Sequence, residues 1–205
     1  MILQEQIASC TKCRLATERQ GLAVPAHAGT LYKTGGLALF LEAPGADEEK
    51  EFFTLPSGAK IGKPLVGAAG KLMNQLLQLA GVDREEVLVL NRIRCRPPRN
   101  RIIDYPDAVS QCDDWVIKEL AEYEPHVILL SGATAAGAIL GKGLSITAAA
   151  GSVRQTSDSF AYGKALFIPT FHPSYALRNG GLGSSIATEI VQHIKLAKAL
   201  LEETN

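Results

Sequence analysis

The sequence predicts an α/β fold, a three-layer α/β/α sandwich around a four-stranded parallel sheet. Four short apolar runs recur along the chain, and helical periods separate them. Each run is apolar throughout rather than alternating, as expected for strands covered on both faces. A chain of 205 residues, 46% of them hydrophobic, suits a single globular domain spanning residues 1–205. No internal repeat or low-complexity segment interrupts it.

In chain order, residues 3–18 read as a short helix carrying Cys10 and Cys13. Residues 20–36, rich in Gly and Ala, read as a loop. The first strand is Leu37–Leu41 (LALFL), and Glu42-Ala43-Pro44-Gly45 turns the chain at its carboxyl end. Residues 46–64 carry charges, Pro56, Gly58, Gly62 and Pro64, and read as a long insertion loop near the mouth of a site. Residues 70–79 (GKLMNQLLQL) form a helix with Gly81 as its stop. Residues 86–90 (EVLVL) are the second strand, closed by Asn91. Residues 107–123 form an amphipathic helix that includes Cys112. Residues 126–130 (HVILL) are the third strand, Ala133–Leu140 a short helix, and residues 165–169 (ALFIP) the fourth strand. Thr170-Phe171-His172-Pro173-Ser174 follows, and residues 186–201 form the final helix.

Charge and targeting signals narrow the classes. The 21 basic and 21 acidic side chains balance, so only their distribution speaks about partners. Arg92, Arg94, Arg96, Arg99 and Arg101 form a basic run, read either as a solvated face or as a phosphate-contacting ridge. The N-terminus lacks the pattern of a signal peptide, and no run reaches the length of a membrane-spanning helix. A cytoplasmic protein, monomeric and without a membrane partner, is the expectation. In a reducing compartment the four cysteines, Cys10, Cys13, Cys95 and Cys112, favour metal or cluster ligation over disulfides. Four thiols without a nearby histidine suggest one sulfur site, an iron–sulfur cluster or a structural zinc.

Three strands end in polar residues: Glu42, Asn91 and His172. Ligands of open α/β sheets bind outside the carboxyl ends of the strands, so the three can share one crevice. Each alone reads more often as turn, cap or loop chemistry than as a functional group. Together they suit cleavage of an N-glycosidic bond. A carboxylate holds water or steadies a cationic sugar, an amide reads a base edge, and an imidazole donates to the departing base. The base must first leave its stack.

The pieces EAPG at 42–45, GKPLVGAAG at 62–70, LNRIRCRPPRNR at 90–101, Cys112, HPSYALR at 172–178 and the C-x-x-C pair resemble the family-four uracil-DNA glycosylases. The resemblance implies that family's α/β/α fold and a structural [4Fe–4S] cluster on Cys10, Cys13, Cys95 and Cys112. It implies a glycosylase acting on single- or double-stranded DNA, and the lack of a strand-end lysine placed to form a Schiff base, with only Lys63 close by, makes a monofunctional enzyme the expectation. Glu42, Asn91 and His172 would be catalytic, with Ala43, Gly45, Leu65, Asn91 and Ser174 around the base. Arg96, Arg99, Arg101 and Arg178 would contact phosphates, and Tyr175 and Leu177 would be wedges on a loop entering the duplex.

The chain departs from the family pattern at Leu41 (usually Gly), at Leu65 (usually a Phe that stacks on uracil) and at Ala149-Ala150 (usually an Arg-Gly pair nearby). The link between Gly45 and Gly62 is longer than usual, and its Phe52 or Phe53 offers a substitute platform. Uracil repair is one reading. A bulkier, hydroxymethylated or glucosylated cytosine in phage DNA, hence a defence role, is the other. The Arg99–Ile103 segment lacks the histidine with which a related subgroup cross-links to abasic sugar. A non-catalytic damage-sensing protein or an electron carrier would keep the cluster without the chemistry.

Overall fold

The computed structural model describes residues 1–156 and 164–204. In chain order it contains α1 (Leu3–Ala8), α2 (Arg14–Glu18), β1 (His27–Ala28), β2 (Leu37–Leu41), β3 (Phe52–Thr54), β4 (Lys60–Gly62), α3 (Ala68–Leu79) and β5 (Val87–Asn91). There follow α4 (Pro106–Tyr123), β6 (Val127–Ser131), α5 (Ala133–Leu140), α6 (Ile146–Ala149), β7 (Leu166–Thr170), α7 (Pro173–Arg178) and α8 (Ser185–Thr204).

The four apolar runs form four parallel strands in the order β5-β2-β6-β7. The sheet is nevertheless five-stranded and mixed, which corrects the four-stranded parallel expectation. β1 pairs antiparallel with β5 at the outer edge, His27 opposite Val89 and Ala28 opposite Leu88. A strand of two residues is too short to carry a period, so nothing in the local pattern announces it.

Alternation along the strands builds the two cores. Leu37, Leu39 and Leu41 join Val87, Val89, Val127, Leu129 and Ile168 beneath α3 and α8. Ala38 and Phe40 join Leu88, Leu90, Ile128, Leu130 and Phe167 beneath α4 and α5. Helices therefore cover both faces, which is why all of β2, β5 and β6 is buried. Among the described residues no helix is long and apolar enough to cross a membrane.

Three local expectations change. Residues 3–18 are two helices, because the Ser9 hydroxyl bonds back to the Glu5 carbonyl and closes α1. Cys10 and Cys13 thus fall in the intervening turn and at the cap of α2. The 46–64 stretch contains a hairpin, β3 paired with β4 through Phe53 opposite Ile61. Residues 174–178, expected as a loop, belong to the helix α7, with Pro173 at the first turn and the His172 side chain accepting the Ser174 amide.

The basic run is not one ridge. Arg92 pairs with Asp113, and Arg94 pairs with Glu119 in the interior. Arg96 reaches the buried Glu49 at 2.9 Å, while Arg99 and Arg101 are exposed. Arg101 pairs with Asp104.

Candidate active site

The sheet topology creates the site. From β2 the chain moves to β5 on one side and then crosses to β6 on the other. The crevice at such a reversal lies beyond the carboxyl ends of the strands. There Leu41 is paired with Asn91, and Glu42 is the next residue out. A cavity of about 650 Å³ opens at this point, lined by Glu42, Asn91 and His172 among others. That volume is typical of a small-molecule site, roughly 300–1,000 Å³. Ala43, Gly45, Leu65, Ser174 and Arg178 share the lining.

Each polar side chain has a distinct setting. Asn91 is 3% exposed; its carbonyl accepts from Arg94 Nη1, while its side-chain amide is paired with no protein group among the described residues and faces the cavity. The Glu42 carboxylate is half-buried and likewise without a protein partner among the described residues. His172 is held at Nδ1, which accepts the Ser174 backbone N–H at 3.2 Å and lies 2.7 Å from its hydroxyl. An imidazole whose Nδ1 accepts must carry its proton on Nε2. Burial, reinforced by Arg178, lowers the His172 pKa to about 4. The ring is therefore neutral at physiological pH and offers one N–H. Gly132 makes room for it, since a Cβ there would stand 3.2 Å from His172 Cβ at a φ of +93°.

One wall was hidden from sequence reasoning. Glu48, within an acidic stretch that singles out no member, accepts the Gly45 amide at 2.6 Å and the Leu65 amide. It thereby joins the turn after β2 to the turn before α3. Leu65 takes a left-handed φ of 61° and is buried against the cavity. Gly70 packs on it so closely that a Cβ would approach Leu65 Cα to 2.3 Å. Burial raises the Glu48 pKa, and its two amide bonds oppose that rise.

Neither Phe52 nor Phe53 lines the cavity, so neither is a substitute platform there. Phe53 stacks on His27 with centroids 4.5 Å apart, and Phe52 lies beneath Lys60. Among the described residues no Phe, Tyr or Trp lines the cavity. The first turns of α3 and α5 both border the cavity. Their free N–H groups and dipoles favour negative charge inside it.

The expected nucleic-acid contacts divide. Arg178 lines the cavity, and Tyr175 and Leu177 on α7 are 42% and 38% exposed. Tyr175 leans on Phe171 at 5.8 Å. Arg99 and Arg101 are exposed. Arg96 is not a free phosphate contact, because its guanidinium is held by Glu49 and by Asn100 Oδ1.

The four cysteines come from three segments and meet in one apolar cluster with Ile7, Leu15, Ile93 and Trp115. They are unpaired thiols. Trp115 Nε1 donates to Cys10 Sγ at 3.4 Å and Arg19 Nη1 to Cys95 Sγ at 3.5 Å. Burial raises the Cys95 thiol to about 11 and also raises Cys112, whereas Arg19 and Arg94 respectively favour their thiolates. Among the described residues no three donors are arranged for a single metal ion, which zinc would require at about 2.3 Å from each sulfur. Buried Cys95 and Cys112, half-buried Cys10 and Cys13 beside them, and N–H donors aimed at sulfur fit a larger thiolate-bound cluster.

The model of the uracil DNA glycosylase superfamily matches residues 37–195. A type-4 uracil-DNA glycosylase of Thermotoga maritima is 32% identical over 203 residues, 98% of this chain and 94% of the relative. The type-4 enzymes of Saccharolobus solfataricus and Sulfurisphaera tokodaii are 31% and 32% identical, over 87% and 88% of this chain and 77% and 76% of their own lengths.

Proposed function

The chain belongs to the uracil DNA glycosylase superfamily, and from that premise we propose that it is a monofunctional glycosylase that releases uracil from DNA. The observation that carries this reading is the neutral His172, its tautomer held by Ser174, in one cavity with Glu42 and Asn91.

In the proposed reaction the nucleotide is everted into the cavity. The Asn91 amide reads the polar edge of the base, its two ends matching one donor and one acceptor. The bond between base nitrogen and C1′ breaks, and its electron pair leaves with the base. His172 Nε2–H donates to the base oxygen that gathers this charge, and the first turns of α3 and α5 favour it. Glu42 steadies the cationic sugar and orients the water, taking its proton as oxygen bonds to C1′. The base leaves as its anion and takes up the proton that Glu42 received, so the products are the free base and an abasic site.

Cys10, Cys13, Cys95 and Cys112 would hold a [4Fe–4S] cluster, which when bound supplies a structural tie between the N-terminal segment, the loop after β5 and α4. Tyr175 and Leu177 would enter the duplex, with Arg99, Arg101 and Arg178 on its phosphates.

A second base is favoured by one observation. Among the described residues the cavity has Leu65 and no Phe, Tyr or Trp in its lining, so these residues supply none of the base stacking worth about 1–3 kcal/mol. A bulkier modified cytosine would fill that space. The deciding experiment incubates the protein with uracil-containing single- and double-stranded oligonucleotides and with genomic DNAs of differing base modification. Released bases are identified by mass spectrometry. Uracil release is expected; release of no base from any substrate would refute the glycosylase reading.

The pH profile follows from His172. With a folded-state value of about 4, base release should show no decline near pH 6.5, the ordinary histidine value. It should fall only as pH approaches 4, when Nδ1 gains a proton and the Ser174 bond is lost. Stability behaves in the same direction. The unfolded histidine takes up a proton below about pH 6.5 and the folded one does not, so this contribution is full above that value and is lost as pH falls toward 4. Rate measurements from pH 8 to 4 check it.

A further inference from the structure

Two consecutive residues of the loop after Cys95 lie in the left-handed region, Arg99 at φ 57° and Asn100 at φ 56°. Non-glycine residues persist there when their surroundings hold them, often at functional sites. Here the hold begins in the interior. Glu49, 4% exposed, accepts from Arg96 Nη1 at 2.9 Å. Arg96 Nε in turn donates to Asn100 Oδ1 at 2.8 Å.

A guanidinium N–H can only donate, so Asn100 must present its oxygen to Arg96 and turn its NH₂ away. Among the described residues no protein acceptor pairs with that NH₂. Asn100 lines the cavity together with Pro97 and Arg178, and the flanking Arg99 and Arg101 are exposed. A fixed donor among cationic side chains at the mouth suits the nucleic-acid backbone more than a base edge, and Asn91 occupies the buried end.

We propose that Asn100 contacts DNA directly, its Nδ2 donating to a phosphate oxygen beside the everted nucleotide, with Arg96 and Glu49 as its positioning residues. This rests on the glycosylase reading for the identity of the ligand.

Asn100→Asp discriminates the roles. The variant keeps the shape and strengthens the bond from Arg96, but it replaces the donating NH₂ with anionic oxygen. DNA affinity by fluorescence anisotropy and KM for a uracil oligonucleotide should both weaken about tenfold or more. The thermal midpoint and kcat should stay near wild-type. Asn100→Gly, which suits the left-handed backbone, should weaken affinity less. A neutral methylphosphonate at the contacted position should erase the difference between Asn100→Asp and wild-type. Unchanged affinity in Asn100→Asp would overturn the proposal, as would a deficit that persists with methylphosphonates at every flanking position. If wild-type protein releases no base while Asn100→Asp still weakens DNA binding in this phosphate-dependent way, the glycosylase reading fails and this contact stands.

Discussion

Replacing His172 with alanine is expected to lower the rate of base release by about a hundred- to a thousandfold, the usual cost of deleting one donor to a developing oxyanion. The ring contributes through a fixed geometry. Ser174 holds Nδ1 from one side, and Gly132 clears the space its Cβ occupies. In the proposed reaction the departing base would therefore meet an N–H that needs no reorganisation. Because the neutral ring donates a hydrogen bond rather than a full positive charge, the loss should fall mainly on kcat. KM should change little, since the interaction strengthens only as charge develops. Ser174→Ala should give a smaller loss, as the backbone N–H still holds the ring. Single-turnover assays check both variants, with thermal denaturation as the control for folding. A His172→Ala protein within a few-fold of wild-type would remove histidine from the mechanism.

The largest expected effect on stability comes from Glu119→Ala. Arg94 and Glu119 are 2% and 1% exposed and are paired with each other. Glu119 also accepts the Ala26 amide at 2.7 Å, and Arg94 donates to the Asn91 carbonyl. Deleting the carboxylate leaves a buried guanidinium and a buried amide without it, at a cost of about 3–5 kcal/mol. Replacing both partners with apolar residues, Arg94→Met with Glu119→Leu, should restore much of that stability. It should not restore activity, because the Asn91 carbonyl still lacks its donor and the side-chain amide proposed to read the base is no longer fixed. Denaturant unfolding and base-release rates on the single and double variants measure the two consequences separately. A Glu119→Ala protein as stable as wild-type would show that the pair bears no such weight.

The same pair explains why the arginine-rich segment misleads when read as a string. Five like charges within ten residues resemble one surface. Partners distant in sequence divide them: Asp113 and Glu119 lie on α4, and Glu49 lies just before the hairpin. Phe52 and Phe53 mislead similarly. They stand in a stretch whose ends border the cavity, yet strand pairing and the stack on His27 carry them to the sheet edge. Glu48 and Asn100 carried no local signal, since an acid among acids and an asparagine beside arginines are ordinary loop chemistry. Their roles come from hydrogen bonds that the fold alone creates.

The linear chain by itself determined the parallel core, because a strand buried on both faces must be apolar at every position, as Leu37–Leu41 is. It also determined that Glu42, Asn91 and His172 stand at or just beyond strand ends, because parallel strands all deliver their carboxyl ends to one side. Only the tertiary structure decided which side chains line the cavity, which arginines face inward and which nitrogen of His172 carries the proton. Those outcomes depend on partners separated by tens of residues, and burial makes an unmet hydrogen bond or charge costly enough to select among them.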